Sequence, residues 1–184
     1  KNWYQKGINI KINNINKIVL FLKKETKKFP EIVLIGSSAG GYLASVIGNY
    51  IKRAYVINFA GQVDLTYEGL VLKNKKYQNI SRKMKNSEIF YFFSNKNKND
   101  LIHYNLIKKN NNIKFFKFDS NVHGPAVNYL VLKKIINMSL FELKQLSKKN
   151  KSLINPIRFS FSLINAFNLM FFIIFKIIRK YIYG

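Results

Sequence analysis

The chain has 184 residues, which is enough for one domain with its own hydrophobic core, or for one domain with an appendage. It contains no cysteine and two histidines, which excludes disulfide scaffolds, thiol nucleophiles and Cys- or His-rich metal centres. We therefore expect a protein that uses neither a metal ion nor a cofactor.

The formal net charge of +24 is of the kind that nucleic-acid-binding proteins carry. Arginine supplies 4 of the 32 basic residues, although it is the basic residue best suited to phosphate and base recognition. Lys, Asn, Ile, Phe and Tyr, whose codons are AT-rich, make up 104 of the 184 residues. We attribute the charge to codon bias and expect no nucleic-acid partner.

The first part of the chain predicts two helices and two strands in alternation. An amphipathic pattern over 16–29 indicates a helix that Pro30 ends. The continuous apolar run 31–35 is typical of a strand buried on both faces. After a glycine-rich turn, a helix is predicted at 39–53 and a second buried strand at 54–59.

The second part continues this alternation after a polar, lysine-rich stretch at 62–87, which predicts loops with one or two short helices. The elements that follow are a strand at 88–93, a helix at 101–109 with Asp100 as its N-cap, a strand at 113–118, and a helix from Gly124-Pro125 to 146. Alternating strands and helices imply an α/β fold, which we expect to be a three-layer α/β/α sandwich around a mostly parallel sheet.

The segment Gly36-Ser37-Ser38-Ala39-Gly40 matches the pattern G-x-S-x-G at the junction of a predicted strand and helix. Such a sharp turn holds Ser38 in a strained conformation that exposes its hydroxyl, and we expect both glycines to be needed because side chains would clash there. The Ala39 amide lies at the helix N-terminus, where it can donate to a developing oxyanion. We predict Ser38 as a nucleophile, with Ser37 as the lesser candidate.

A nucleophilic serine needs a base, and the base needs an acid that orients it. His123 follows the last predicted strand in a loop, whereas His103 lies inside a helix, so we favour His123 as the base. Asp100 follows the third strand and is our first choice for the acid. Asp64, after the second strand, is the alternative, and Asp119 is interpreted as a loop residue.

Ser38, Asp100 and His123 occur in that order, each after a predicted strand, and in this the chain resembles the α/β-hydrolase superfamily. The resemblance covers about residues 16–146, and the glycines of the motif match the nucleophile elbow of that family. It implies a serine esterase or acyl hydrolase. The segments Trp3-Tyr4-Gln5-Lys6-Gly7 and Phe59-Ala-Gly-Gln-Val-Asp-Leu65 also look like hydrolase-like proteins found with bacterial surface-polysaccharide genes.

The chain departs from the family at its N-terminus. About 30 residues precede the elbow strand, where the family has several strands and a loop that supplies the second oxyanion amide. We therefore expect an α/β-hydrolase-like domain that is truncated or reduced at the N-terminus. The resemblance assigns no residue to the second oxyanion donor.

The C-terminal part differs in character, and we divide the chain into a catalytic domain at 1–147 and a basic, hydrophobic helical tail at 148–184. The 17 residues from Phe159 to Phe175 carry no charge, slightly fewer than the roughly 20 that a transmembrane helix needs. Residues 152–184 are expected to pack on the core or a partner, or to contact an anionic membrane peripherally. A helix that spans the membrane is a third alternative. We expect a cytoplasmic protein, membrane-associated in the second case.

The function predicted from these residues is hydrolysis of a short acyl ester, such as an acetyl group on a sugar, with a small-molecule or saccharide ester as substrate. The same site with an alcohol in place of water would be an acyltransferase. A second class of hypothesis is a catalytically inactive binding or scaffold module in polysaccharide biosynthesis. A third is a protein that binds anionic polymers through its +24 charge.

Overall fold

The computed structural model describes residues 7–51, 53–72, 75–84, 86–125, 128–149, 153–156 and 159. Within these residues the strands are β1 (Ile32–Ser37), β2 (Ala54–Phe59), β3 (Glu88–Ser94) and β4 (Ile113–Phe118). The helices are α1 (Ile15–Glu25), α2 (Ala39–Gly48), α3 (Lys98–Ile107), α4 (Tyr129–Ile136) and α5 (Leu140–Lys149). Short 3₁₀ turns at Leu65–Glu68 and Lys75–Tyr77 lie between β2 and β3.

The four strands form one sheet in the order β1-β2-β3-β4, and every neighbouring pair is parallel. Ser37 pairs with Phe59, and Ser94 pairs with Phe118, so the strands end together at one edge of the sheet. The predicted α/β class and parallel sheet are confirmed. Loops that follow the strands are thereby gathered at this carboxyl edge, where open α/β sheets bind their ligands.

Helices pack on both faces of the sheet. On one face Val56 and Tyr91 join an apolar cluster with residues of α1, α2 and α3. On the other, Phe59, Phe92 and Phe116 join a cluster with α4 and α5, and the rings of Phe92 and Phe116 stack with centroids 4.4 Å apart. Burying each of these phenylalanine side chains stabilises the folded state by about 1.5–3 kcal/mol. The arrangement is compatible with the predicted three-layer sandwich.

Strand β1 differs from its prediction. It was expected to be buried on both faces, but Val33 and Ile35 are 40% and 48% exposed, while Ile32 is buried. The reason is position, because β1 is the edge strand of the described sheet and the cluster formed by α4 and α5 lies over the other three strands. The prediction of burial on both faces is therefore wrong for β1.

The N-cap of α3 differs from its prediction. Asp100 was the predicted cap, but the helix is capped by Asn97. The Asn97 side chain accepts a hydrogen bond from the Asp100 amide at 3.1 Å, which starts the helix one turn earlier than predicted. This leaves the Asp100 side chain in the first turn of α3 and free of a capping role, so that it can take part in contacts elsewhere.

The single helix predicted from Pro125 to 146 is two helices, α4 and α5. Asn128 caps α4, because its side chain accepts hydrogen bonds from the Leu130 and Val131 amides. Ser139 and Glu142 then cap α5 reciprocally: the Ser139 amide donates to the Glu142 carboxylate at 2.8 Å, and the Glu142 amide donates to Ser139 Oγ at 3.2 Å. Each cap marks a start that a continuous helix would not have.

Lys148 and Lys149 belong to α5, and Ile154 forms a bridge to the end of β4. The Ile154 amide donates to the Lys117 carbonyl, and its carbonyl accepts from the Asp119 amide, both at 2.8 Å. The rest of the predicted tail, including most of the membrane contact predicted for 152–184, lies outside the described residues. Within the described part of the chain, no helix has the length and apolar character required to cross a membrane.

Candidate active site

Three of the predicted site residues follow strand ends at the carboxyl edge of the sheet. Ser38 follows β1, Asp100 lies in the first turn of α3 after β3, and His123 lies in the loop between β4 and α4. The loop after β2 adds Gln62, which the sequence analysis did not single out. Four consecutive β-strand ends therefore each contribute one polar side chain to this edge.

Ser38 has a backbone conformation that is unfavourable for a residue with a side chain, with φ 51° and ψ −119°. Its amide donates to the Phe59 carbonyl at 2.9 Å, which ties the turn to the end of β2. Such a conformation costs about 1–3 kcal/mol and persists where the surroundings enforce it, often at functional sites. The predicted strain at Ser38 is present.

The two glycines of the motif are not equivalent. A Cβ on Gly36 would lie 2.2 Å from the Gly40 carbonyl oxygen, so the turn cannot close around a larger residue. A Cβ on Gly40 would meet no atom within 4 Å outside its own helix backbone. The expectation that Gly40 avoids a clash is therefore wrong, and the steric requirement falls on Gly36 instead.

Asp100 and His123 form the tightest polar contact of the site, with His123 Nδ1 2.6 Å from Asp100 Oδ1. The other carboxylate oxygen accepts from the Ser94 amide at 2.8 Å and from the Gly124 amide at 3.1 Å. Asp100 is 0% exposed, so these three partners replace water around a buried carboxylate. Gly124 has φ 69°, a left-handed conformation that suits glycine and lets its amide turn toward Asp100.

The alternatives to this pair have other partners. Asp64 caps the turn at Leu65–Glu68 through the amide and hydroxyl of Thr66 and also accepts from Asn79. His103 is buried, its Nδ1 accepts from the Val63 amide at 3.2 Å, and its Nε2 lies 3.6 Å from Glu68. Both residues hold the loop after β2.

The hydroxyl of Ser38 is not hydrogen-bonded to His123 in the described structure. Its partner is the Gln62 side chain, whose Nε2 donates to Ser38 Oγ at 3.1 Å. Ser37 lies near the loop that carries His123, since a Cβ on Gly124 would come within 3.7 Å of Ser37 Oγ. The structure thus brings Asp100 to His123 and Gln62 to Ser38.

The two histidines of the chain are expected to titrate on opposite sides of the usual histidine pKa. The hydrogen bond that His123 donates to the Asp100 carboxylate raises the pKa of His123, and burial of the ring opposes this shift. Burial lowers the pKa of His103, although Glu68 opposes this. Two-dimensional NMR of the ring protons during a pH titration would measure both midpoints, with His103→Asn assigning the signals. Two coincident midpoints would contradict the geometry described above.

A cleft of about 280 Å³ lies beside the His123 loop and is lined by Ser120, Val122, Gly124, Pro125, Asn128 and Pro156. Among the described residues, no cluster of three or more His, Asp or Glu side chains is placed to hold a metal ion.

Gln62 and the two amides that hold Asp100 were missed by sequence reasoning. A glutamine in a loop has no spacing that distinguishes it, and backbone amides have no sequence signal at all. The one available signal was position, because Gln62 follows a buried strand closely in the same way as the predicted residues do.

The chain was compared with protein-family models, with curated proteins and with solved structures, and none of them matches it.

Proposed function

We propose that this protein is a serine hydrolase with an α/β-hydrolase-like catalytic domain, and that it cleaves a short acyl ester. The observation that carries the proposal is the buried carboxylate of Asp100, held 2.6 Å from His123 at the sheet edge where a strained turn presents Ser38. A buried acid that orients a histidine is the arrangement that activates a serine when the histidine reaches the hydroxyl.

In the proposed reaction, Ser38 Oγ attacks the ester carbonyl carbon and its proton passes to His123 Nε2. The carbonyl electron pair moves to the oxygen, where the Ala39 amide at the start of α2 stabilises the charge. The ester C–O bond then breaks, and the leaving alcohol takes the proton from His123. Water repeats the sequence on the acyl-enzyme and regenerates Ser38.

We propose an O-acetylated sugar as the substrate class, and the cleft beside the loop that carries His123 is a candidate place for part of the sugar. An inactive binding module is the alternative that one observation favours, because Ser38 is bonded to Gln62 and not to His123. Hydrogen bonds of this kind often tighten only when substrate is bound. We therefore prefer the hydrolase.

Labelling with a fluorophosphonate probe tests the proposal. We expect the folded protein to be labelled at Ser38, Ser38→Ala to lose the label, and Ser37→Ala to retain it as the matched control. His123→Ala should slow labelling by about 10²- to 10⁴-fold, since the general base is lost. Folded protein that takes no label would contradict the hydrolase and favour the inactive module.

A further inference from the structure

Gln62 has an unusual environment for a buried glutamine. It is 3% exposed, and its Nε2 donates to Ser38 Oγ at 3.1 Å. Its Oε1 is also buried but has no hydrogen-bond partner in the described structure. The side chain therefore uses its donor on the proposed nucleophile and leaves its acceptor unsatisfied.

The backbone on both sides of Gln62 is firmly held. The Gly61 amide donates to Asn58 Oδ1 at 2.6 Å, and the Gly61 carbonyl accepts from the Tyr91 hydroxyl at 2.9 Å. The Val63 amide donates to His103 Nδ1 at 3.2 Å. A side chain carried on such a support is positioned more precisely than one on a free loop.

Stability does not account for this arrangement. A buried acceptor without a partner costs about 1–3 kcal/mol, and an apolar side chain of the same shape would avoid that cost. Gln78, the other buried glutamine of the described chain, shows the contrast. Its Oε1 accepts from the Leu72 amide at 2.7 Å and its Nε2 donates to the Leu70 carbonyl at 2.5 Å.

We propose that the side-chain amide of Gln62 is the second oxyanion donor, acting together with the Ala39 amide; this inference rests on the proposed hydrolase function. Before reaction, the Ser38 hydroxyl oxygen accepts the Nε2–H bond. When Oγ bonds to the carbonyl carbon, the former carbonyl oxygen is attached to that same carbon and carries the negative charge. The Nε2–H donor then passes to this oxyanion, which is a stronger acceptor than the neutral hydroxyl.

An interaction that strengthens in this way lowers the barrier without tightening substrate binding. We therefore expect Gln62→Met to lower kcat and kcat/KM together by about 10²- to 10³-fold, with KM unchanged. The rate of fluorophosphonate labelling should fall as well. The melting temperature should stay the same or rise, because methionine removes the unsatisfied acceptor.

Gln78→Met is the matched control and should behave oppositely, with a lower melting temperature and an unchanged kcat for the folded fraction. Gln62→Glu keeps the shape of the side chain and replaces the donor by a carboxylate. This second variant should also have a lower kcat near pH 7, and it tests the inference if Gln62→Met fails to fold. If the wild-type protein is labelled and the Gln62 variants are labelled and turn over substrate at the normal rate, this inference is wrong while the proposed function stands. Wild-type protein that is not labelled would overturn the proposed function first.

Discussion

Asp100→Asn is expected to lower kcat for a short acyl ester by about 10⁴-fold while the protein remains folded. The asparagine oxygen can still accept from the Ser94 and Gly124 amides, which both donate to one oxygen of the carboxylate. Its NH₂ group then faces His123 Nδ1 and donates to it. This forces the imidazole to carry its proton on Nε2, where it can no longer accept the proton of a serine.

Asp64→Asn is the control for this experiment, since Asp64 was the alternative acid and has other partners. It should keep kcat and lose at most about 1 kcal/mol of stability. Steady-state kinetics with a p-nitrophenyl ester, together with circular dichroism, would measure both variants. An Asp64→Asn variant that is as inactive as Asp100→Asn would contradict the assignment of the acid.

Ser38→Gly is expected to abolish activity, by about 10⁶-fold in kcat, and at the same time to make the protein more stable. Glycine adopts the φ 51° of this position without the strain that a side chain brings, so the free energy of unfolding should rise by about 1 kcal/mol or more. Ser38→Ala should be equally inactive but should retain the strain.

The comparison of these two variants isolates backbone strain from loss of the hydroxyl. Urea denaturation monitored by far-ultraviolet circular dichroism would give the free energy of unfolding of each variant. If Ser38→Gly is no more stable than Ser38→Ala, the turn at Ser38 is not strained.

The strands were more predictable than the helices. Strands β2, β3 and β4 match their predicted ranges closely, because a run of apolar and aromatic residues bounded by polar ones has few other uses. The edge position of β1 could not be predicted, since apolar runs in edge and central strands look alike. The late start of α4 depends on the cap at Asn128, and the division between α4 and α5 depends on the cap at Ser139. Both caps lie within a continuous apolar pattern that predicts one helix.

The candidate site was predictable where it depends on residue type and strand order. Ser38, Asp100 and His123 stand out because each follows a strand, and parallel strands bring their carboxyl ends together. The partner of Ser38 was not predictable, because the approach of Gln62 depends on how the loop after β2 folds back over α2. Gly61 shows how close this approach is, since a Cβ there would lie 2.6 Å from the Gly41 backbone.

The loop that carries His123 is also the link between the sheet and the helices over its phenylalanine-rich face. After β4 the chain passes through this loop to reach α4 and α5, which cover Phe92 and Phe116. Local opening of a protein follows such packed units. Loosening of the helical cover is therefore expected to disturb the His123 loop before the sheet opens. If so, the proposed ester hydrolysis should be lost at a lower temperature than the circular dichroism signal of the fold.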